Sequence, residues 1–266
     1  MTSSRSDTSL SNQVGRHELK AFFAGPGLRL LAAQNSVHGF LASGARASEI
    51  RAFLSVIRKE AEPEQRRLDQ KKATRSNVFD FIQPDENRLS DILAWLLQPQ
   101  GTHGQSDLFL RLLFKRVLTG SKPTSTRNAA VRREAATFGI EKYQRRMDVL
   151  VEAGARLAIE NKVDSGEQRE QIADYLRHLH RCAAGNAYAL IYLTPNGRLP
   201  ESLDLDTRTS AHLYCWSYQI ELLDWLKECA RHCEARKVKV FLTDFIRYIE
   251  TRLKRGAAHA EDRNEQ

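Results

Sequence analysis

Between Arg145 and Lys162 the chain carries two short runs of alternating character, Arg-Arg-Met-Asp-Val-Leu-Val-Glu and Arg-Leu-Ala-Ile-Glu-Asn-Lys, separated only by Ala153-Gly154-Ala155. A period of two on both sides of a three-residue, glycine-centred connection specifies a β-hairpin. If Glu152 pairs with Arg156, the register brings Asp148 opposite Glu160. Strand side chains alternate, so Asp148, Glu160 and Lys162 fall on one face and Met147, Val149, Val151, Leu157, Ile159 and Val163 on the other. The second face is apolar and has to be covered, which places the hairpin inside a layered domain.

The first face poses an electrostatic problem. Two carboxylates directly opposite each other on neighbouring strands lie about 5 Å apart. At an effective dielectric near 20 they repel by roughly 3 kcal/mol. Lys162 offers one compensating charge, and a divalent cation held between the acids would offer two more. An all-oxygen ligand set selects Mg²⁺ or Mn²⁺, and neither histidine nor cysteine is placed to make a zinc centre. The expectation is that Asp148 and Glu160, with the main-chain carbonyl of Asn161, bind such a cation, while Lys162 orients a water and stabilises charge developing on a phosphate. At the level of residues a plainer reading stays open, because Glu-x-Lys triplets are common and acid–base pairs across strands often decorate solvent-facing sheets for a few tenths of a kcal/mol.

The surrounding pattern supplies the layers. Leu89, Ile92, Leu93, Leu96 and Leu97 recur at three and four between Pro84-Asp85 and Pro99, which predicts a helix. A bridge containing Gly101 and Gly104 leads to a second helix through Leu108, Leu112, Leu113 and Val117. Strand-like segments follow at about 130–138, 145–152 and 156–163, then a helix from about Glu167 to Cys182 and a strand at Tyr188–Leu193 ended by Thr-Pro-Asn-Gly. These four strands give an α/β fold with a central mixed four-stranded sheet flanked by helices. A short strand at His212–Trp216 and two C-terminal helices, about 218–233 and 238–253, complete the reading.

With 266 residues, 41% of them hydrophobic, the chain can bury one sizeable core plus an appendage. The expected organisation is a disordered tail over 1–13, a helical appendage over 14–80, a main domain over 81–255 and a second disordered tail over 256–266. No run approaches the roughly 18 apolar residues of a membrane span, and a cytoplasmic location is expected. The four cysteines are too few and irregular for a disulfide framework, and Cys229, His232 and Cys233 lack the second ligand pair of a zinc site. A formal charge of +8, with lysine and arginine spread along the chain, suits a phosphate-rich partner.

Asp148 followed by Glu160-Asn161-Lys162 resembles the signature of the PD-(D/E)XK nucleases, with Met147-Asp148 where the family often has Pro-Asp. Gln171 and Tyr175 match the family's Gln-x-x-x-Tyr feature on the following helix. The stretch from Glu86 to Pro99, with His103-Gly104 and Phe109-Leu110, is similar to the opening block of a largely uncharacterised bacterial subgroup. The resemblance covers about 80–195 well. It implies a restriction-endonuclease-like core and a metal-dependent nuclease acting on nucleic acid, most simply a DNA endonuclease serving defence against foreign DNA. It also implies a place for Glu86 among the metal ligands and a catalytic contact by Gln171 to phosphate or metal water, with Tyr175 one turn on as a substrate contact or a packing residue. Strand alternation aims Arg146, not Arg145, at the active face and a phosphate, and His103 either contacts phosphate or holds the bridge in place. A homodimer and a regulatory partner docking through the N-terminal helices are further expectations. The rival is a nucleic-acid-binding or assembly module that keeps the fold without turnover.

Overall fold

The computed structural model describes residues 76–118, 125–137, 145–163, 166, 168, 170–201 and 210–253, with scattered positions between 51 and 73. The chain divides into two compact units, Met1–Ser76 and Asn77–Gln266. The expected disordered tails and most of the expected helical appendage lie outside the described residues. The described positions from Arg51 to Lys71 are helical, with an Arg66–Glu62 pair one turn apart.

The second unit opens with a short helix α1 (Phe79–Ile82), then α2 (Glu86–Leu97) and α3 (Leu108–Val117). Helix α2 starts where its capping signal stands: Asp85 accepts a hydrogen bond from the Arg88 N–H at 2.8 Å and satisfies one of the orphan donors of the first turn. Its apolar stripe of Leu89, Leu93, Ala94, Leu96 and Leu97 is buried. Strands β1 (Ala130–Ala136), β2 (Arg146–Glu152) and β3 (Arg156–Asn161) follow, then α4 (Gln171–Ala183), β4 (Tyr188–Thr194) and β5 (Leu213–Ser217). A π-helical turn (Tyr218–Leu222) leads into α5 (Leu223–His232), and α6 (Arg236–Tyr248) ends in a second π turn (Ile249–Leu253). Helix α4 begins later than its apolar pattern suggests, because Glu170 adopts left-handed backbone at φ 60° and the helix can only propagate from Gln171.

The sheet has five strands, not four, in the order β1-β2-β3-β4-β5. The segment expected as a separate short strand pairs in parallel with β4, from Leu190↔Leu213 to Thr194↔Ser217, and forms the edge. The β2–β3 hairpin takes the expected register, with Glu152↔Arg156 and Val149↔Ile159. Parallel pairing of β3 with β4 then sets Glu160 beside Tyr192. Strands β3 and β4 are buried on both faces, so β4 reads as a nearly unbroken apolar run, Tyr-Ala-Leu-Ile-Tyr-Leu. One face, through Val149, Val151, Leu157, Ile159 and Ile191, packs in the larger core with residues of α2, α3, α5 and α6. The other, through Leu150, Ala158, Leu190 and Tyr192, packs against Ile172, Tyr175 and Leu179 of α4. Each such Leu or Ile side chain removed from water contributes about 1.5–3 kcal/mol.

One expectation about these faces is corrected. Met147 packs with Leu150 and Tyr175 on the α4 side and not with Val149. On β1 the same inversion puts Val131 against one core and Ala135 in the other. Glu134 explains it: φ there is 47°, left-handed backbone inside a strand, and the β1–β2 ladder passes from Arg133↔Val149 to Ala135↔Met147 without pairing Glu134 to Asp148. Left-handed backbone at a non-glycine residue costs on the order of 1–3 kcal/mol and persists only where neighbours hold it. The β2–β3 ladder also stops at Val149↔Ile159. Asp148 therefore sits at a gap in both flanking ladders.

Candidate active site

The gap is where the acids meet. At the next step of the β2–β3 register the Asn161 N–H donates to Asp148 Oδ2 at 2.7 Å, so a side-chain carboxylate replaces the main-chain acceptor of a regular pair. Glu160, 2% exposed, lies at the end of β3. Its Oε1 accepts from Lys162 Nζ at 2.9 Å and from Gln171 Nε2 at 2.7 Å. Its Oε2 is buried with no hydrogen-bond partner. Glu86 comes from the first turn of α2, and its Oε2 accepts from the Val163 N–H at 2.9 Å.

The protonation equilibria express this crowding. Burial pushes the Glu160 carboxyl up to about 7, the Asp148 charge pushes the same way, and Lys162 opposes both. Asp148 is raised by burial, against the pull of the Asn161 N–H and Lys162, with Glu86 again raising it. Burial draws the Lys162 ammonium down, but Glu160, Glu86 and Asp148 together outweigh it and hold the pKa above the usual lysine value. Three carboxylates thus act on one another around a single ammonium.

The donor set suits a hard divalent cation. A buried carboxylate oxygen with no partner forgoes the stabilisation that hydrogen bonding or a cation would give, and removing a charged oxygen from water without either is costly. Among the described residues no three His, Cys, Asp or Glu side chains, Glu86, Asp148 and Glu160 included, stand close enough to hold a metal ion together. That is compatible with Mg²⁺, which keeps several waters and takes one or two carboxylates plus substrate phosphates. Asp148 and Glu160 are the residues that could hold it, with the Glu86 charge acting on both.

The remaining sequence-predicted residues separate into those the fold brings to this point and those it does not. Gln171 is buried, and its amide is committed: Nε2 donates to Glu160 and to the Tyr175 hydroxyl at 2.9 Å, and Oε1 accepts from the Gln168 N–H at 3.3 Å. It holds Glu160. Tyr175 is fully buried, and its hydroxyl donates to the Arg146 carbonyl at 2.6 Å, so the expected substrate contact is replaced by a support for Gln171 and β2. Arg146 is exposed and pairs with Glu134 at 3.2 Å. Its neighbour Arg145 turns inward, to Asp174 of α4 at 2.6 Å. Asn161 has a buried side chain whose Nδ2 donates to the Glu86 carbonyl and the Ser90 hydroxyl, both at 3.1 Å, and whose Oδ1 accepts from the Tyr218 hydroxyl at 2.8 Å.

Of the two roles open to His103, its hydrogen bonds match the one that holds the bridge. Its Nδ1 accepts from the Gln105 N–H at 3.0 Å, so Nε2 carries the proton and donates to the Gln98 carbonyl at 2.8 Å. Burial lowers its pKa, which keeps the ring neutral, and neither nitrogen is left for a phosphate. The ring packs so close to Gly101 that a Cβ there would stand 2.9 Å from it, which is why the bridge needs glycine.

Residues that the sequence did not single out complete the site. Ser90, fully buried, interrupts the apolar stripe of α2, and its hydroxyl donates to the Glu86 carbonyl at 2.9 Å. A polar residue among Leu89, Leu93 and Leu97 was a readable signal. Tyr218 arrives from the π turn after β5, and Arg133 reaches from β1 to α2 and β2. Neither carries a mark in the sequence.

A mixed sheet bearing two acids and a lysine at the end of its central hairpin, with a helix N-terminus adding a third acid, defines a recognisable class of hydrolytic centre. A sequence model of the PD-(D/E)XK nuclease superfamily matches residues 76–247, and the chain belongs to that superfamily. No curated protein and no solved structure matches it significantly.

Proposed function

We propose that this chain is a Mg²⁺- or Mn²⁺-dependent nuclease that hydrolyses phosphodiester bonds of DNA as an endonuclease, with defence against foreign DNA as its cellular task. The observation that carries the metal dependence is the buried, partnerless Oε2 of Glu160 beside a second raised carboxyl, Asp148. Membership of the nuclease superfamily supports the reaction class. The +8 charge supports an anionic polymer as substrate.

Asp148 and Glu160 would hold the cation, with Glu86 and the main-chain carbonyl of Asn161 as further oxygen donors. When bound, the cation polarises a phosphate oxygen and acidifies a water. The protein's own groups do the rest. Lys162, bound to Glu160 and 11% exposed, keeps its proton and presents a fixed positive charge where negative charge develops on the phosphate. Gln171 fixes the rotamer of Glu160 by donating to Oε1, which leaves Oε2 turned away from that bond. Tyr175 in turn fixes Gln171. The arrangement is pre-organised, so little reorganisation is required at the moment of reaction.

The test is incubation of the purified full chain with supercoiled plasmid, linear duplex and single-stranded DNA, and with RNA, in Mg²⁺, Mn²⁺ or EDTA. The proposal expects plasmid nicking or linearisation that needs the divalent ion. Retention of DNA on a filter at low salt with no cutting in any metal would instead identify a binding module.

A further inference from the structure

We infer that Arg133 is a positioning residue for this site. With the left-handed backbone at Glu134, it replaces the main-chain pairing that Asp148 has given up and ties the first turn of α2 to the strand carrying Asp148. The inference rests on the reading of Asp148 and Glu160 as cation ligands.

In a regular antiparallel pair the Asp148 carbonyl would bond to the facing residue of β1. That residue is Glu134, whose φ of 47° removes the pair from the ladder. The Arg133 guanidinium takes its place. One terminal nitrogen donates to the Asp148 carbonyl. Nε donates to Asp91 Oδ1 at 2.8 Å, and the other terminal nitrogen donates to the Asn87 carbonyl at 3.2 Å. Asp91 and Asn87 both belong to α2, the helix that carries Glu86 in its first turn. On the other side of that turn the Asn161 side chain bonds the Glu86 carbonyl and Ser90. The turn is pinned from two sides, once by the strand after Asp148 and once by the strand before it.

Freed from β1, Asp148 is able to send its carboxylate to the Asn161 N–H, the posture that puts it beside Glu160 and Lys162. A planar fork with several donors is required to span three acceptors on two elements, and a lysine ammonium lacks that geometry. Partners one step removed from a metal's ligands characteristically alter its affinity by about 10–100-fold when lost.

The experiment measures Mn²⁺ affinity of the full-length protein by paramagnetic resonance of the free ion, alongside circular dichroism, for wild type, Arg133→Ala, Arg133→Lys, Glu134→Val and Glu134→Gly. Wild type binds Mn²⁺. Arg133→Ala, with an unchanged spectrum, binds about 10-fold or more weakly, and its cleavage recovers at saturating Mn²⁺, which a general loss of structure would not allow. Arg133→Lys stays weak. Glu134→Val, forced toward regular strand, weakens in the same sense, whereas Glu134→Gly accepts the left-handed backbone and keeps wild-type affinity. Wild-type affinity in folded Arg133→Ala, or in Arg133→Lys and Glu134→Val should the alanine variant not fold, overturns the role of Arg133 while leaving the metal site standing. Absence of Mn²⁺ binding to wild type, with or without DNA, overturns both.

Discussion

The two ends of the β2–β3 hairpin make opposite use of the same residue types. At the turn, Glu152 stands in a regular ladder opposite Arg156 and pairs with both Arg156 and Arg132, near the surface. At the far end, Asp148 and Glu160 leave the β2–β3 ladder, Asp148 half-buried and Glu160 buried, and share one lysine with a third carboxyl nearby. The first end balances its charge with protein cations, whereas the second leaves a carboxylate oxygen without a partner. Among the described residues Glu152 has two arginine partners, whereas Glu160 pairs with Lys162 and Asp148 has Lys162 and Arg133 near it without an ion pair to its carboxylate, and a divalent ion would add the charge that Glu160 Oε2 lacks.

The largest expected difference between the two ends is in cleavage. Asp148→Ala and Lys162→Ala, folded by circular dichroism, should each lose roughly 10³-fold in rate, of the size seen when a charge-stabilising group is removed. EDTA should abolish wild-type cutting, and Mn²⁺ should restore it. A folded Lys162→Ala that cuts at the wild-type rate would break the comparison.

Next in size is a pH effect confined to the buried end. The fold raises the Glu160 pKa from 4.5 to about 7, so the folded state binds this proton more tightly than the unfolded chain does. Its contribution to stability is complete below pH 4.5 and is lost as pH rises through 7. The change amounts to about 3 kcal/mol for the metal-free protein. Thermal melts in EDTA should therefore show Tm falling between pH 5 and 8, with a flatter profile in Glu160→Gln. Because the cation favours ionised carboxylates, the Tm gain on adding Mg²⁺ should be larger at pH 8 than at pH 6.

A smaller effect should come from His103, whose ring nitrogens bond neither strand of the hairpin. His103→Ala leaves the Gln105 N–H and the Gln98 carbonyl without their ring partners, and should cost about 1–3 kcal/mol in urea melts while the folded fraction cuts normally. Smallest of all, Arg132→Ala at the turn removes a half-exposed ion pair and should change stability by less than about 1 kcal/mol, with cleavage unaltered.

The hairpin register was legible because period, loop length and apolar alternation all point the same way, and α2 was legible because its cap and its flanking prolines bound it. The inversion at Asp148 was not. It depends on left-handed backbone at Glu134, and a glutamate, unlike glycine or asparagine, gives no notice of such a conformation. Strict alternation therefore puts Met147 on the wrong face and gives Arg133 no part in the site. Asp148, Glu160 and Lys162 were readable as types at a spacing, and Glu86 only through the family resemblance. The commitment of Gln171, Tyr175 and Asn161 to other side chains depends on tertiary packing that spacing does not encode. The fifth strand was visible as a segment, but its place at the sheet edge is set by a parallel pairing across a long connection.

Calorimetric titration of Mn²⁺ into the metal-free protein at pH 8, for wild type and the Asp148→Asn/Glu160→Gln double variant, bears on the shared cation most directly. A saturable binding heat in wild type that vanishes in the folded double variant is the predicted result. The same binding heat in both proteins, or none in wild type with or without DNA, would contradict the account.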